Sequence, residues 1–498
     1  MKNIKKTIGL FLLIFLLTGC SNYVEFDPHS AYEVTELDFL KTETDYRQMA
    51  VSCYSPMQWI SHQILIYGDL ATTNSVAGGQ SATDLSWLQG IDDYTLTGTT
   101  APNAEAANLW EFAYEGINRV NYMVQHKDLN PTSQKIDFAG KDALYGELYF
   151  IRAYEYFSLV RLFGDCVLFT DKRIEISDFG KMQRVPKVEV YKQIEVDLNA
   201  AIAVLPTTAA QAGRITIYAA QALLGKVLLY ENKLPEAAAM LENVVNGPFS
   251  LVPDIGSQFL LAGENGPESV FEVQYSNDSP YWNWAGRNTG QGNYAAWEMG
   301  VVGLRGSTDM PYADGGGYNL PTKELYNAFA PGDQRRDATC FDIEAYKLAN
   351  PALNVTYTIV PYKHTGLYSK KYLPMIGQTS GQPQLCYGNN IRIIRFADVL
   401  LMAAEANVAT NAAKAQGYLD KVRDRAFGDA LHHVPATIQA IWDERRLELA
   451  MEGDYFFDLV RTGQAAAKIP GFITGKNEVF PIPYQDVQNF GITQNPGY

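Results

Sequence analysis

The sequence predicts a mainly α-helical protein in which four tetratricopeptide-like helix pairs form a scaffold, with long irregular insertions carrying a few short strands. Three observations support this fold class. Apolar residues recur at spacings of three and four over much of the chain, which is the period of a helix with a buried face. Two distant helix pairs carry small and apolar residues at identical offsets. Two long segments, 68–100 and 249–390, interrupt the helical pattern.

The N-terminus has the features of a secretion signal. Three lysines lie within the first six residues, and the apolar run Ile8–Leu17 is shorter than the roughly 20 residues that a membrane-spanning helix needs. The run leads into Leu-Leu-Thr-Gly-Cys, which is similar to a bacterial lipobox. We therefore predict a signal peptide over 1–19, lipid attachment at Cys20 and a tether over 20–37. The alternative is a plain signal peptide with an accidental cysteine.

Net charge and aromatic content bear on the kind of partner that this chain binds. The chain of 498 residues has a net charge of −15, which becomes −18 without residues 1–19 because three lysines are lost with them. Such an acidic chain disfavours a nucleic-acid partner. Aromatic residues make up 12% of the sequence, including 31 tyrosines, and this content suits a surface that stacks on ligands.

The remaining cysteines show no metal-binding pattern. Four of them follow Cys20, at spacings that match neither CxxC nor zinc sites: Cys53, Cys166, Cys340 and Cys386. We expect scattered buried thiols, and one disulfide is the alternative in an exported protein. The six histidines are scattered as well, so we predict no metal ion and no cofactor.

The first half of the chain contains two loosely defined helix pairs. Helical stretches over 38–59 and 104–125 form the first pair, and those over 142–163 and 188–205 form the second. The segment 68–100 lies between the first two helices, is rich in Gly, Ser, Thr and Asp, and has no sustained apolar period. We predict a long ordered loop there, a kind of segment that is often functional in compact proteins.

The third and fourth pairs carry the clearest repeat. The third pair has small and apolar residues at Leu224, Gly225, Leu228, Ala237, Leu241 and Val244. The fourth pair repeats this spacing with Ala403, Ala415, Leu419 and Val422. In the tetratricopeptide pattern a small residue on the first helix lets the second helix approach closely, so we expect this packing at Gly225.

The C-terminal part, 391–498, contains three predicted helices. The first runs from about Ile393 to Val408 and is almost uncharged after Asp398, so we expect it to be buried on most sides. Asn411 stands where an N-cap would begin the second helix, and Pro435 and Thr437 begin the third.

The third of these helices combines an apolar stripe with many charges. The stripe runs from Ile438 to Phe456, and the charged residues around it include Asp443, Glu444, Arg445, Arg446, Glu448 and Glu452. We predict a salt-bridged structural clamp, for which Arg423 and Arg425 are the nearest partners in sequence. Opposed carboxylates for acid–base chemistry are the alternative, but carboxylates on one helix give no evidence of a cleft between them.

The segment 249–390 begins with a predicted strand, Ser269–Tyr275, and then reaches the run YWNWAGRNTGQGNYAAWEMG. Three of the seven tryptophans lie in this run, among tyrosines, asparagines and glycines. Sugar rings present apolar C–H faces and a rim of hydroxyls, so a sugar site needs flat rings for stacking and amides or charged forks for hydrogen bonds. This run supplies both. Asp309 and Asp314, further along, lack the spacing of an EF-hand calcium loop.

Five long runs in the chain carry a family resemblance. In order they are ALYGELYFIRAYEYFSLVRLFGD, IRFADVLLMAAEA, YLDKVRDRA, ERRLELAMEGDYFFDLVRTG and FPIPYQDVQNFGITQNPGY. Together they resemble the SusD/RagB family of outer-membrane nutrient-binding lipoproteins. That family usually has a proline after the Gly-Asp of the first run, where this chain has Cys166 and Val167. The resemblance implies a scaffold of four tetratricopeptide-like units with irregular insertions.

The resemblance also implies a function. Members of the family are non-catalytic, lipid-anchored proteins of the outer-membrane surface that capture oligosaccharides or polysaccharide fragments and deliver them to a TonB-dependent transporter of the SusC type. Their ligand contacts come from insertions that correspond to 68–100 and 249–390. The implied glycan site consists of Asp69, Asn74, Trp87, Tyr281, Trp282, Asn283, Trp284, Arg287, Tyr294 and Trp297. The alternative for each aromatic residue is that it anchors a long loop to the core.

Other functions stay open. The same architecture could capture a peptide or glycopeptide, and a peptide-binding adaptor would use the tetratricopeptide groove, although the helices here are interrupted and strongly apolar. A surface glycoside hydrolase is less favoured, because the sequence contains no GxSxG, HExxH or Walker motif and no recognisable frame for two carboxylates.

We divide the chain after the tether into three parts: 38–248, 249–390 and 391–498.

Overall fold

The computed structural model describes residues 36–97, 104–277, 303–359, 362–379 and 387–498. The predicted signal peptide, the lipidation site Cys20, the thiol of Cys386 and the predicted ligand residues from Tyr281 to Trp297 lie outside these ranges. Within them the chain forms sixteen α-helices and eight short strands, so the predicted mainly helical fold class is confirmed. None of the described helices is long and apolar enough to cross a membrane.

The helices have the following bounds: α1 (Glu43–Leu70), α2 (Ser86–Asp92), α3 (Ala104–Gln125), α4 (Lys141–Phe163), α5 (Lys187–Ile202), α6 (Ile217–Tyr230), α7 (Leu234–Val245), α8 (Lys323–Ala328), α9 (Arg335–Thr339), α10 (Ile343–Ala349), α11 (Phe396–Asn407), α12 (Ala412–Phe427), α13 (Ile438–Glu448), α14 (Tyr455–Arg461), α15 (Ala465–Lys468) and α16 (Tyr484–Phe490). The strands are β1 (Ser75–Gly78), β2 (Cys166–Val167), β3 (Arg184–Val185), β4 (Ser269–Val273), β5 (Tyr318–Pro321), β6 (Cys340–Asp342), β7 (Leu367–Ser369) and β8 (Ile391–Arg395). They pair as antiparallel ribbons, β1 with β5, β2 with β3, β4 with β8 and β6 with β7.

The described residues divide into two compact units. The smaller unit consists of residues 36–48 and 126–138. Inside it the Tyr46 hydroxyl donates a hydrogen bond to the His126 carbonyl oxygen at 3.0 Å. The larger unit contains the other described residues, and the features discussed below lie within it.

The third helix pair, α6 with α7, shows the predicted close approach. A Cβ added at Gly225 would lie 2.5 Å from Cγ of Leu241, so the two helices can pack this closely only because residue 225 has no side chain. In the fourth pair, α11 with α12, the equivalent Ala403 and Leu419 are fully buried. Asn411 caps α12 by accepting a hydrogen bond at its side chain, as predicted.

The first two pairs are present as well. In the first, α1 packs against α3 through the rings of Trp59 and Phe112, whose centroids are 5.2 Å apart. In the second, α4 and α5 are joined by a buried ion pair between Arg152 and Asp197, with N and O atoms 2.6 Å apart. The predicted scaffold of four helix pairs is therefore confirmed.

The predicted end of the first helix is wrong. We expected it near residue 59, but α1 continues to Leu70 because Ile60, Ile64 and Leu65 are buried in the core. The segment 68–100, predicted as a long ordered loop, contains β1 and α2. Both elements are too short to show a period in the sequence.

The strand predicted near residue 269 is confirmed as β4, although it ends at Val273 rather than at 275. Its partner β8 takes up residues that we assigned to the start of a helix. Ile394 lies opposite Phe271 in this ribbon, so the chain is extended up to Arg395 and the helix begins only at Phe396.

The charged C-terminal helix is not continuous to Phe456 as predicted. It ends at Glu448, and helical structure resumes at Tyr455. Between them Met451 and Gly453 have positive φ angles of 62° and 82°, which a helix cannot contain. The break lets the chain cross α1, where a Cβ at Gly68 would collide with the Gly453 carbonyl oxygen.

The predicted clamp around this helix is confirmed. Glu448 is fully buried and accepts a hydrogen bond from Arg425 at 2.5 Å, while Arg423 pairs with Glu444. Arg335 on α9 is a further partner, 2.6 Å from Glu444, which the sequence spacing did not indicate. Burial raises the pKa of Glu448, but Arg425 and the neighbouring cations outweigh it and hold that pKa well below its usual value.

Candidate ligand-binding site

The two insertions predicted to bind ligand are joined to each other by a sheet. Strand β1 from segment 68–100 pairs with β5 from segment 249–390, with Gly78 opposite Tyr318. The pairing continues past the strands, since the Gly79 N–H donates to the Gly317 carbonyl oxygen at 3.2 Å. The two insertions are therefore hydrogen-bonded to each other along this ribbon.

The described residues on either side of the predicted ligand run, Asn277 and Gly303, are both hydrogen-bonded to other parts of the long insertion. Asn277, which precedes this run, donates from its side chain to the Gln378 carbonyl oxygen at 3.1 Å. Gly303, which follows it, accepts a hydrogen bond from the Gly317 N–H at 2.8 Å. Gly303 is therefore hydrogen-bonded to Gly317, the residue directly before the first residue of β5. The residues that the prediction names between Tyr281 and Trp297 lie outside the described part of the chain.

Trp87 lies on α2, the short helix of the first insertion. Its side chain is 7% exposed and its ring stacks on Tyr67 of α1, with centroids 5.9 Å apart. The residues of α2 from 87 to 91 are all buried. This position corresponds to the alternative in which the indole anchors the insertion to the core, and the ligand role of Trp87 stays a prediction.

Asp69 and Asn74 are also buried. The Asp69 carboxylate accepts hydrogen bonds from the Gly453 N–H at 3.1 Å and from the Asn319 side chain at 3.3 Å. Burial raises the pKa of Asp69 to about 8, and these two hydrogen bonds oppose the rise. The Asn74 side-chain oxygen accepts from Arg446 at 2.9 Å. Both residues join the first insertion to other parts of the fold, and their predicted contacts with ligand stay predictions.

One exposed loop beside the sheet was not singled out by sequence reasoning. It runs from Gly79 to Leu85 and is held by Asp84, whose Oδ2 accepts hydrogen bonds from the Tyr318 hydroxyl at 2.7 Å and from the Gln80 N–H at 2.8 Å. Burial and the nearby Asp84 carboxylate raise the pKa of Tyr318. The pair of glycines before Gln80 is the sequence signal that could have indicated a tight turn here.

The described residues also bear on metals and on reactive thiols. They contain no group of three His, Cys, Asp or Glu side chains placed to hold a metal ion. The Asp309 carboxylate accepts a hydrogen bond from the Asn354 N–H at 3.1 Å, and the Asp314 carboxylate accepts one from the Gly306 N–H.

Three of the predicted buried thiols are confirmed as free and buried: Cys53, Cys166 and Cys340.

A scaffold of helix pairs with two joined insertions defines a helical repeat-type protein with long insertions. The SusD family model matches residues 267–498, and a SusD-like model described as starch-binding and associating with the outer membrane matches residues 25–229. A solved laminarin-binding SusD-like protein is 33% identical, with a TM-score of 0.82 over 92% of this chain and 100% of its own. The chain belongs to the SusD family.

Two other similarities extend along most of the chain. SusD-like protein P2 of Formosa agariphila is 25% identical over 99% of this chain and 100% of its own length. Surface glycan-binding protein A from Bacteroides thetaiotaomicron, solved in complex with laminarihexaose, is 23% identical and has a TM-score of 0.80 over 91% of this chain and 99% of its own. At that identity the second similarity shows the fold alone. Neither matching family description names a reaction.

Proposed function

We propose that this chain is a non-catalytic protein of the outer-membrane surface that captures oligosaccharides or polysaccharide fragments. The observation that carries the proposal is its similarity, at 33% identity over 92% of the chain, to a protein that binds laminarin. Laminarin and its oligosaccharides are therefore the first ligands to test.

In this proposal the ligand lies on the surface where the two insertions join. The rings of Tyr281, Trp282, Trp284, Tyr294 and Trp297 stack on sugar faces, and Asn283 and Arg287 bond hydroxyls. Support comes from the described residues that flank this run, since Asn277 bonds to Gln378 and Gly303 accepts from Gly317, next to β5. Asp69, Asn74 and Trp87 complete the proposed site; they are buried, so they also hold the first insertion in place.

We further propose that lipid attached at Cys20 holds the protein to the membrane and that a SusC-type TonB-dependent transporter receives the ligand. Stacking without chemistry gives modest affinity, and linkage to a transporter raises the effective ligand concentration at the pore. In the native host, Cys20→Ser should abolish lipid labelling and release the chain from the membrane fraction. Isolation of the tagged protein from solubilised membranes should recover a transporter of this class, and its absence would contradict the partner proposal.

The ligand proposal is tested with the soluble chain that starts at residue 21. Native gels containing laminarin, starch, plant and host glycans should show retardation by laminarin, and calorimetry should then give the affinity for its oligosaccharides. Trp282→Ala and Trp284→Ala should each weaken binding by about fivefold or more, since the stacking of one aromatic ring contributes about 1 kcal/mol. Tyr484→Ala, an exposed tyrosine on α16, is the matched control and should bind like the parent.

The other outcomes of this test identify the alternatives. Release of new reducing ends from any polymer would contradict a non-catalytic function and favour the hydrolase. A folded chain that binds no glycan in the panel would contradict glycan capture and favour a peptide or glycopeptide ligand. Unchanged binding in folded Trp282→Ala and Trp284→Ala proteins would remove these residues from the site.

A further inference from the structure

The loop from Gly79 to Leu85 places three kinds of ligand-binding group together. The Gln80 side chain is exposed, and Asp84 is half-buried. Tyr362, also half-buried, comes from the other insertion and lies beside the loop, because its N–H donates to the Gly79 carbonyl oxygen at 3.2 Å. The backbone of Tyr362 therefore lies against the turn that carries Gln80 and Asp84.

Contacts from beneath hold this loop in one conformation. The Tyr318 hydroxyl donates to Asp84 Oδ2, which also accepts the Gln80 N–H. Gly79 has a φ of +94°, and a Cβ there would lie 2.7 Å from the Tyr318 ring. The Gln89 side chain donates to the Asp84 carbonyl oxygen at 3.3 Å. A surface that is already ordered loses less conformational entropy when a ligand binds.

The position of Tyr362 is fixed by its neighbour. The Lys363 ammonium group lies between two carboxylates, 2.7 Å from Asp92 and 2.6 Å from Asp93. The same ammonium nitrogen is 5.3 Å from the centroid of the Tyr362 ring. The ring is thus tied to the end of α2, which follows the loop.

Two polar groups of this surface are unused inside the protein. Within the described residues the Gln80 side-chain amide has no hydrogen-bond partner, and Asp84 Oδ1 accepts no hydrogen bond, since both bonds to that carboxylate are made by Oδ2. The amide offers a donor and an acceptor, and Oδ1 offers an acceptor. Vicinal hydroxyls of a sugar match this set, and the Tyr362 ring offers a face for the C–H side of the same sugar.

We propose that Gln80, Asp84 and Tyr362 form a subsite for one sugar unit and that Tyr318 is its positioning residue. This inference rests on the proposed function and adds a charge preference to it. Three carboxylates lie on this surface, those of Asp84, Asp92 and Asp93, and Lys363 is engaged by two of them. Arg305 lies near the Tyr318 hydroxyl that holds Asp84, so Lys363 and Arg305 together offset two of the three carboxylate charges. An anionic sugar would still face a net negative surface, so the subsite selects neutral glycans over sulfated or uronic-acid ones.

The test measures calorimetric affinities of the chain from residue 21 for laminarin oligosaccharides of three and six units. Gln80→Ala and Tyr362→Ala should each weaken binding of the hexasaccharide about fivefold or more, as expected for the loss of a hydrogen bond or a stacking face. Gln485→Ala and Tyr484→Ala, which change exposed residues of the same types on α16, are the matched controls and should leave it unchanged. Thermal melting confirms that each variant is folded.

Two further variants separate a subsite from a merely structural role. Asp84→Asn keeps the hydrogen-bonding shape but removes the charge, so it should bind sulfated laminarin more tightly than the parent does. Tyr318→Phe keeps the ring against Gly79 and removes the hydroxyl. If Tyr318 acts through the loop, Tyr318→Phe combined with Gln80→Ala should bind no more weakly than Gln80→Ala alone.

The outcomes distinguish this inference from the proposed function. A parent chain that binds no glycan overturns both. A parent that binds the hexasaccharide while Gln80→Ala and Tyr362→Ala bind within twofold of it overturns the subsite alone. Equal exclusion of sulfated laminarin by the parent and by Asp84→Asn overturns the charge preference.

Discussion

Arg395 donates a hydrogen bond to Glu448 at 3.0 Å, and both side chains are withdrawn from solvent. Arg395 ends β8, and Glu448 ends α13. Their contact therefore ties the strand that closes the long insertion to the charged helix of the C-terminal part. Arg335 of α9 and Arg425 of α12 reach the same carboxylate, so a single acid is shared by four elements.

Loss of this acid should destabilise the fold strongly. Glu448→Gln keeps the size of the side chain but leaves the three arginines partly uncompensated, so we expect the free energy of unfolding to fall by about 3–5 kcal/mol. Glu189→Gln breaks an exposed ion pair with Lys192 and should cost less than about 1 kcal/mol. Denaturant titration measures both values, and equal losses in the two variants would contradict a special role for the buried cluster.

The packing at Gly225 gives a second prediction. Gly225→Ala inserts a methyl group against Leu241, so we expect the free energy of unfolding to fall by about 1–3 kcal/mol. Gly417 is exposed in the middle of α12, and a Cβ there would meet nothing within 4 Å. Gly417→Ala should therefore raise stability by up to about 1 kcal/mol through helix propensity. The opposite signs of the two changes are the result to check, and a stabilised Gly225→Ala protein would contradict the close helix contact.

The buried thiols should be inert while the protein is folded. Burial raises the pKa of Cys53 and of Cys340 to about 12, and it raises the pKa of Cys166 as well. In a chain from residue 21 carrying Cys386→Ser, a maleimide at pH 8 should label almost no thiol before unfolding and three thiols after it. An added exposed thiol, Ser81→Cys, is the control for reagent access. Rapid labelling of the folded chain, or fewer than three thiols in the unfolded chain, would contradict this prediction.

Patterns in the sequence predicted those features of the fold that depend on residues close together in the chain. The spacing from Gly225 to Leu241 indicated a helix pair, and Asn411 indicated a helix start, because both signals lie within a few turns of the element they specify. Contacts between distant residues could not be predicted in this way. Arg335 pairs with Glu444 across 109 positions, and Tyr318 holds Asp84 across 234.

At the candidate site, too, the sequence indicated the segments involved but not the contacts between distant residues. The aromatic run in the long insertion and the family resemblance predicted a ligand surface on the two insertions, and the β1–β5 ribbon joins these insertions. Whether one aromatic side chain points outward depends on its tertiary neighbours. Trp87 stacks on Tyr67, which is 20 positions earlier and on another helix, and no pattern in segment 68–100 specifies that contact.

The buried carboxylate of Asp69 should make stability depend on pH. Burial raises its pKa in the folded protein to about 8, above the ordinary value of 3.8, while hydrogen bonds from Asn319 and Gly453 oppose the rise. Between these two values the folded state holds a proton that the unfolded state has lost. Stability from this group is therefore present below about pH 4 and decreases as pH rises towards 8, by up to about 1.4 kcal/mol per pH unit.

Asp69→Asn removes this titration, so the stability difference between variant and parent isolates it from every other group. We expect the difference, variant minus parent, to increase between pH 5 and pH 8.5 in denaturant titrations. Asp458→Asn is the control of opposite sign: burial raises the pKa of Asp458, but Arg445 and Arg461 outweigh it and lower that pKa to about 2. Its difference from the parent should stay constant over the same range and change only below about pH 4. A constant difference for Asp69→Asn from pH 5 to 8.5 would contradict the raised pKa. It would show that the Asp69 carboxyl is already ionised in the folded protein at pH 5.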